Sequence, residues 1–592
     1  MTKHKPFLGI EKSLGGFLWK ERFFDERIAE ALAQKYNLPF VVSRILAARG
    51  VGIDDAADFL NPKIKKMMPD PFSLKDMDKA AERIVKAILQ KEKIAIFGDY
   101  DVDGATSSAL LKLFLDDVGG ISFIQIPDRD DGYGPTLDII DQFKKDNVGL
   151  LVLVDCGITA FESLNKAKDV GLETLVVDHH EPEAKLPPSV AVVNPKRLDE
   201  PKDNPLKVMA AVGVVFMLVV AINRELRNQG YYEKRAAPDL IKWLDIVALG
   251  TVCDVVPLVG INRAFVATGL EVMAMRKNLG ITALCDYLKI SESPKAFHLG
   301  YVLGPRINAC GRVGDSSIGA KLLITKDEFE AQSICKKLDE YNLARREIEA
   351  KVLQEALEQV ALLDLDNSSV IVVCGENWHA GVIGIIAGRL RERFNLPSFV
   401  ITIDGDEAYG SARSVQGIDI GASIMSARQM GILTRGGGHI MAAGFSMDKN
   451  KIEEFKTFID DNIHKQYQET GIIPTIEVDG ALDINGAVVD VVKNLESLAP
   501  FGAGNYEPKV VIPSVKIKKS DIVGKNHIRC FVSSTVGGNL KAIAFNAVDS
   551  EIGKALIAGR GDYFHLLGSL RLDKWQGEEN VQFVIEDAVK LS

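Results

Sequence analysis

An α/β protein of several domains that ends in a small β-barrel is the architecture this sequence predicts, and three observations carry it. From about residue 76 to 275, short apolar runs alternate with helix-periodic segments, which is the rhythm of a mostly parallel sheet. Residues 322–363 are rich in Lys, Glu, Ala, Leu and Gln and contain no Gly or Pro, so they read as one or two long helices bridging domains. From about residue 474 the texture changes to short β-type runs separated by Gly, Asn and Asp, as in a small barrel. At 592 residues the chain is too long for a single core.

Taken in order, residues 1–75 hold charged amphipathic segments (25–36 and 43–60) broken by Pro62 and Pro69, a helical prelude without visible chemistry. Residues 76–321 form the first α/β lobe, with helices expected over 77–90 and 107–117 and buried parallel strands over 94–97, 150–154 and 175–177. The run 208–222 is apolar throughout, bounded by Lys207 and Asn223. It is too short to cross a bilayer comfortably and suits a buried helix. Residues 322–364 connect to a second, smaller α/β lobe at 365–473, which opens with a strand over 370–373. Residues 474–592 form the barrel, with β-runs at 510–516, 527–532, 540–545, 563–570 and 581–585.

Composition sets limits on function. With 47% apolar and 26% charged residues the chain is an ordinary globular protein. Its charged N-terminal stretch lacks the apolar core of a signal peptide, and the expectation is a cytoplasmic protein. Seven scattered cysteines (Cys156, Cys253, Cys285, Cys310, Cys335, Cys374, Cys530), none in a CxxC, indicate neither a disulfide framework nor a Cys-rich zinc site. A net charge of −10 argues against a protein that coats nucleic acid indiscriminately, so any such contact must be local.

The chemistry lies in four Asp-bearing segments: Gly98-Asp99-Tyr100-Asp101-Val102-Asp103-Gly104, Val154-Asp155, Val177-Asp178-His179-His180 and Gly250-Thr251-Val252-Cys253-Asp254. Three follow strand-like runs, and in an open α/β sheet ligands gather beyond the carboxyl ends of the strands. The acids should therefore converge. Packing them together is costly unless cations neutralise them, and Asp oxygens with His nitrogen suit Mn²⁺ or Mg²⁺ better than a closed zinc site. A lone Asp after a strand is more often a turn or a helix cap, and Asp155 by itself would be read so. The alternating Asp99, Asp101 and Asp103, on what reads as a loop opening into a helix, and the adjacent His179 and His180 point instead to a two-metal hydrolase centre.

These motifs resemble, in order, the DHH phosphoesterase superfamily, named for Asp178-His179-His180, and within it the RecJ group of single-strand-specific 5′→3′ exonucleases. The resemblance extends to Asp128-Arg129-Asp130-Asp131-Gly132-Tyr133-Gly134, to Gly250 through Leu258, and to Gly304-Pro305-Arg306-Ile307-Asn308-Ala309-Cys310-Gly311-Arg312. Gly410-Ser411-Ala412-Arg413-Ser414 and Gly436-Gly437-Gly438-His439 are similar to the DHH-associated domain. Pro500-Phe501-Gly502-Ala503-Gly504-Asn505 is similar to the segment that joins that domain to an OB-fold. The matches run from about residue 45 to the end. Three positions depart from the pattern: Phe97 stands where many members carry a His ligand, a place Asp99 can take, Cys253 replaces a usual Ala, and Tyr506 replaces a common Pro.

The resemblance implies in-line hydrolysis of a phosphodiester. Asp155 would bridge two divalent ions, Mn²⁺ or Mg²⁺, about 4 Å apart. Asp99, Asp101 and Asp103 would lie on one side and His179 and Asp254 on the other. Which of the first three bind metal directly stays open. His180 would hydrogen-bond the scissile phosphate or leaving group, with Asp178 orienting a histidine. Arg129, Ser411 and Arg413, with Arg306 nearby, would hold a 5′-phosphate. Gly437, Gly438 and His439 would approach the strand closely. In the barrel, Lys516, Lys518, Lys519, Lys525, Arg529 and Lys541 stand against one acid, Asp521, between residues 516 and 541, a candidate groove for single-stranded DNA. The implied setting is DNA repair and recombination, with a helicase and a single-strand-binding protein as partners, no membrane, and a monomer. Two rivals remain: a DHH hydrolase of pyrophosphate, cyclic dinucleotides or short oligonucleotides, and an inactive DHH-like replication scaffold. The residues after Thr475 favour a polymer over the first, and the intact acid motifs disfavour the second.

Overall fold

The computed structural model describes residues 5–129, 132, 134–365, 368–535, 537–575 and 578–591. The chain divides into two compact units. One gathers the residues up to Gly304, Gly319–Gln332 and everything from Thr475 on; the other comprises Pro305–Ile318 and Ser333–Pro474.

The first unit is built on a five-stranded parallel sheet. After a short N-terminal strand β1 (Leu18–Glu21) come β2 (Lys93–Gly98), β3 (Ile121–Gln125), β4 (Leu150–Val154), β5 (Glu173–Val177) and β6 (Ala191–Val193). The sheet order is β3-β2-β4-β5-β6, every pair parallel. Both faces are covered, which is why β4 could be read as an uninterrupted apolar run. On one face Ala95, Phe97, Leu151, Leu153 and Val176 pack with Ile140, Phe143, Leu164 and Ala167 of the helices Leu137–Lys145 and Phe161–Asp169. On the other lies the helix Val102–Asp117, itself packed against Ala211–Asn228 and Leu244–Cys253. The apolar run 208–222 forms most of that buried Ala211–Asn228 helix, and no helix among the described residues is long and apolar enough to cross a membrane. The chain steps from β2 outward to β3 and returns to the other side of β2 for β4. The topological switch point therefore lies between β2 and β4, and Asp99 and Asp155 follow those two strands.

The second unit carries a mixed sheet of β7 (Ile371–Glu376), β8 (Ser398–Asp404), β9 (Glu407–Arg413), β10 (Arg435–His439) and β11 (Ala442–Asp448), ordered β10-β11-β9-β8-β7. Only β7 and β8 run parallel. The expected connecting helix is two: Ile318–Ile324, then Glu328–Val360, 33 residues long and restarted where Asp327 accepts from the Phe329 and Glu330 N–H groups. The glycine run that could be read as a loop is strand β10.

The barrel begins after β12 (Thr475–Val478) and β13 (Gly480–Ala481). It consists of β14 (Val510–Val523), β15 (His527–Ser534), β16 (Gly537–Ala544), β17 (Tyr563–Trp575) and β18 (Glu578–Lys590). Pairings β14–β15, β15–β16, β16–β18, β18–β17 and β17–β14 close five strands into a ring, with bulges bending β14. The N-terminal segment is more than a helical prelude. β1 pairs with β12, and Leu32, Val42, Ile45, Leu46 and Ala56 share one core with Val510, Ile512, Ile517 and Phe583 of the barrel. A four-residue strand that pairs with a segment more than 450 positions away leaves no local periodicity to read.

Arg263 ties the helices of the parallel-sheet lobe to the barrel's entry segment. It is 1% exposed, lies 3.9 Å from the centre of the Phe59 ring, and donates to the carbonyls of Phe59 (2.8 Å), Ala499 (2.7 Å) and Pro500 (3.4 Å). Asn505 of the Gly502–Asn505 turn accepts from Arg49 and donates to Leu498 O and Pro500 O. Arg263→Ala strands three carbonyls at once and should cost about 3 kcal/mol or more of stability. Thermal unfolding together with limited proteolysis between residues 472 and 510 checks this, with new cleavage expected there in the variant.

Candidate metal centre

Each acidic side chain has a local reason to be where it is. Asp101 caps the helix Val102–Asp117, its Oδ1 accepting from the N–H groups of Asp103 (2.8 Å) and Gly104 (3.1 Å). The helix thus begins at Val102, earlier than the expected loop allowed, and Asp103 stands in its first turn. Gly104 is required by close approach, since a Cβ there would lie 2.3 Å from the Asp99 carbonyl oxygen. Asp103 also faces a second helix N-terminus: its Oδ2 accepts from Ala211 N–H (2.6 Å) and its Oδ1 from Val212 N–H (2.9 Å). Asp155 sits just beyond β4 at φ 59, left-handed backbone that a non-glycine residue rarely adopts.

The histidines are fixed from behind. Asp178 Oδ1 accepts from the His179 N–H (2.7 Å), the His180 N–H (3.1 Å) and His180 Nδ1–H (2.8 Å), and its Oδ2 accepts from Ile158 N–H (3.0 Å). His179 Nδ1–H donates to the Met209 carbonyl (3.0 Å). Its Nε2 therefore carries the lone pair, 3.3 Å from Asp155 Oδ1 and 3.8 Å from Asp103 Oδ2. Asp254 ends the helix Leu244–Cys253, with Oδ2 3.7 Å from His179 Nδ1; the next residue, Val255, is β-branched and sits at φ 61.

Seven side chains thereby meet in three overlapping groups: Asp99, Asp101 and Asp155; Asp155, His179 and His180; Asp103, His179 and Asp254. Within each, one ligand atom per residue lies within 4.8 Å of the others. Asp99 Oδ1, His179 Nε2 and Asp254 Oδ2 are buried without a hydrogen-bond partner among the described residues, the condition of donor atoms prepared for a cation. Oxygen with imidazole nitrogen is a donor set that suits Mn²⁺ or Mg²⁺. Without a cation the cluster opposes its own ionisation. Burial, then the charge of Asp101, raises the pKa of Asp99 and of Asp103, and burial, then Asp103, raises those of Asp155 and Asp254. Burial, then His180, pushes His179 down to about 4, keeping it a neutral ligand. For His180, burial works against the cation, but the Asp178 hydrogen bond and the charges of Asp178, Asp103 and Asp101 outweigh it and raise the pKa. Asp178 goes the other way: burial alone would raise its pKa, yet its bonds to His180 and to Ile158 N–H hold it down.

Two of the departures from the motif have a place in the structure. Phe97 is buried in the sheet core, its side chain facing away from the site. Cys253 is more than a small filler, because its thiol donates to the Leu299 carbonyl (3.4 Å). Arg129 stacks over Tyr100, 4.3 Å from the ring centre, close enough for its charge to act on Asp99. Asp130, Asp131 and Tyr133 lie outside the described residues.

The other expected residues belong to the second unit or the barrel. In the second unit Arg306 pairs with Asp339 (2.9 Å). Ser411 aligns with Gly444 and Gly437 across β9, β11 and β10, and Arg413 with Ala442 and His439, so register puts Ser411, Arg413, Gly437 and His439 on one face. A Cβ at Gly438 would lie 2.4 Å from Ala442 O, whereas at Gly437 it would meet nothing within 4 Å. Arg413 Nη1 donates to Ser411 Oγ (3.3 Å) and lines a cavity of about 340 Å³ with Arg312, Arg389 and Arg391. Burial, then the Arg391 charge, lowers the Arg413 pKa. Arg389 and Arg391 carry no motif that would single them out in the sequence, where they look like ordinary solvated charges late in the helix Ala380–Phe394. On the barrel, Lys516, Lys518, Lys519 and Lys525 are exposed, Asp521 pairs with Lys519 (2.8 Å) and Arg529 (3.5 Å), and Lys541 pairs with Asp573 (2.7 Å).

No sequence signal marks the segment Met209–Val212, whose backbone holds both His179 and Asp103. Proline at position 211 removes one of its N–H groups cleanly: Ala210 has the extended geometry (φ −73, ψ 161) a pre-proline residue needs, and the first helical position accepts proline. Ala211→Pro should weaken Mn²⁺ binding roughly tenfold with little change in melting temperature. Mn²⁺ titration followed by electron paramagnetic resonance reads this, and unchanged affinity would show the bond to be idle. Raised carboxyl pKa values also carry a sign. The folded metal-free chain binds more protons than the unfolded chain above the ordinary carboxyl pKa of about 4, so its stability falls as pH rises toward neutrality. Melting curves in chelator between about pH 5 and 8 should show that fall, and added Mn²⁺ should flatten or reverse it.

Residues 93–251 match the DHH family, N-terminal domain; residues 367–465 match the DHHA1 domain; residues 478–587 match the RecJ OB domain. The single-stranded-DNA-specific exonuclease RecJ of Escherichia coli K12 is 33% identical over 566 residues, covering 93% of this chain and 96% of the relative. The protein of the same name from Bacillus subtilis 168 is 32% identical over 578 residues, covering 96% and 70%. The crystal structure of RecJ from Thermus thermophilus in complex with Mn²⁺ superposes with a TM-score of 0.79 at 26% identity, over 96% of this chain and 78% of that one. With motifs, three domain matches and near full-length identity in agreement, the chain belongs to the RecJ family of DHH proteins.

Proposed function

We propose that this chain is a divalent-metal-dependent exonuclease that degrades single-stranded DNA from the 5′ end to mononucleotides, in DNA repair and recombination. The observation that carries the reading is the convergence of seven acid and imidazole side chains at the switch point of the parallel sheet, in a chain of the RecJ family. On this reading Asp99, Asp101, Asp103, Asp155, His179 and Asp254 would hold two Mn²⁺ or Mg²⁺ ions. Such ions neutralise charge on the reacting phosphate and acidify the attacking water.

The chain's own residues do the rest. The Met209 carbonyl and the Ala211 and Val212 N–H groups aim His179 and Asp103. His180, whose pKa the Asp178 hydrogen bond raises, donates to a phosphate oxygen or to the leaving oxygen. Arg129, Arg306, Ser411 and Arg413 bind the 5′-terminal phosphate, with Gly437, Gly438 and His439 along the strand. Lys516, Lys518, Lys519, Lys525 and Arg529 bind the following nucleotides, where Lys516 beside Tyr563 and Arg529 beside Phe531 set charge next to aromatic rings. The functional parts are an N-terminal segment (1–75), a catalytic lobe (76–321), connecting helices (322–364), an associated lobe (365–473) and a nucleic-acid-binding barrel (474–592). A monomeric cytoplasmic enzyme working beside a helicase and a single-strand-binding protein fits these parts, and no disulfide joins the seven cysteines. The barrel speaks against a small-molecule substrate, and the complete acid set speaks against an inactive scaffold.

The test is digestion of matched single-stranded oligonucleotides bearing a 5′-phosphate or a 5′-hydroxyl, with Mn²⁺. The phosphorylated end should be favoured about tenfold or more in kcat/KM, because a charge-assisted contact contributes about 1.5–3 kcal/mol. Arg413→Ala should lose that preference, and Asp155→Ala should lose hydrolysis while staying folded. Shortening from the 3′ end, or turnover of pyrophosphate in place of DNA, would sink the proposal.

A further inference from the structure

Beside the metal centre the first unit carries an exposed aromatic pair that the metal chemistry does not use. Phe297 and Tyr301 are 57% and 75% exposed, and their rings stack with centroids 5.3 Å apart and planes 25° from parallel. Large rings are usually withdrawn from water, and two stacked on each other in solvent form an exposed apolar surface. They sit four residues apart at the junction of the short helix Ala296–His298 with a single π-helical turn, Leu299–Leu303. Such turns are rare and concentrate at functional sites.

The location of that turn gives the pair its meaning. It packs on the last residues of the helix that delivers Asp254. The Leu299 carbonyl accepts from Cys253 Sγ (3.4 Å), a Cβ on Gly300 would stand 3.4 Å from Val252 Cγ1, and one on Gly304 would stand 2.4 Å from Cys253 Sγ. The platform's backbone is therefore in direct contact with the two residues preceding Asp254. Continuity with the metal centre selects the occupant. A strand whose phosphate lies at Asp254 and His179 must lead its bases away over neighbouring surface, and every base has a face that stacks on an aromatic ring. In a duplex those faces are already covered.

We infer that Phe297 and Tyr301 form a nucleobase-stacking platform that receives unpaired bases of the single-stranded substrate next to the metal centre. The inference rests on the exonuclease reading and extends it, since it makes base stacking a determinant of single-strand preference.

The experiment uses the full-length protein and 5′-phosphorylated oligonucleotides carrying 2-aminopurine at successive positions, whose fluorescence is quenched by stacking. Binding is measured without added metal, and digestion is then started with Mn²⁺. Wild type should quench the probe at one or two adjacent positions. Phe297→Ala and Tyr301→Ala should each lose that quenching and weaken binding about fivefold or more. Tyr301→Phe and Phe297→Tyr should retain both, which separates loss of a ring from loss of folding. An oligonucleotide with abasic sites at the quenched positions should bind the alanine variants and wild type alike. A wild type that digests single strands while the alanine variants keep full affinity and quenching overturns the platform. So does a change confined to self-association in sedimentation, which would assign the pair to contact between copies of the chain. A wild type that fails to digest single strands overturns the exonuclease reading itself.

Discussion

Carboxylates that cannot all be charged at once are the constraint around which the first unit is arranged. Asp99, Asp103, Asp155 and Asp178 are nearly or fully buried, with Asp254 beside them, and water is not available to separate their charges. Part of the repulsion is met by the fold. Asp103 faces the N-terminus of the helix Ala211–Asn228, where backbone N–H groups and the helix dipole favour a negative charge. Asp178 is surrounded by four donors. Burial and neighbouring carboxylates still raise the pKa of Asp99, Asp103, Asp155 and Asp254, which leaves charge in the cluster for a cation to neutralise. The strained, left-handed backbone at Asp155 and at Val255, the residue after Asp254, falls at the same cluster.

How much of this could be read in the sequence follows from where the information sits. The strands β2, β4 and β5 are legible because parallel strands covered on both faces must be apolar at every position, and the acids are legible because they stand at the ends of those runs. The helix Val102–Asp117 starts several residues before its apolar pattern does, since Asp101 serves as a cap and so hides among candidate ligands. Backbone groups have no sequence signature at all. The Met209 carbonyl and the Ala211 and Val212 N–H groups are as specific to the site as any side chain, yet they belong to a run that reads only as a buried helix. The glycines of β10 mislead for a related reason. Without side chains they signal flexibility, but their pairing with β11 is fixed by backbone hydrogen bonds that any residue could make.

The barrel is held differently from what its distance along the chain suggests. Arg263 locks its entry segment to the catalytic lobe, Asn505 ties that segment to itself and to Arg49, and the first sixty residues contribute to the barrel's core. A barrel fastened to the metal-bearing sheet, instead of swinging on a linker, would, if it binds the strand as proposed, fix how many nucleotides lie between its basic surface and Asp155. Burying the Arg263 guanidinium lowers its pKa to about 10, through desolvation and then the charge of Arg49, which leaves it cationic at neutral pH. Its three carbonyl partners make that burial tolerable, and they also make the docking geometry specific.

An acidic chain that takes a polyanion as substrate has to solve a problem of net charge, and here the sign of the total is misleading. The formal charge of −10 includes the carboxylates of the metal cluster, which face one another and not the solvent. Bound cations would remove them from the long-range field, and positive charge is gathered locally within each unit: four arginines around one cavity of the second, and a run of lysines along β14 of the first. Phosphate contacts of that kind would make affinity fall with salt, and they do not tell a single strand from a duplex. Recognition must then draw on uncharged contacts as well, and stacking of bases on exposed rings is one that duplex DNA cannot make. A strand would be held where its bases are free and cut where its phosphate meets the carboxylates, so preference for single strands would follow from the balance of stacking against charge.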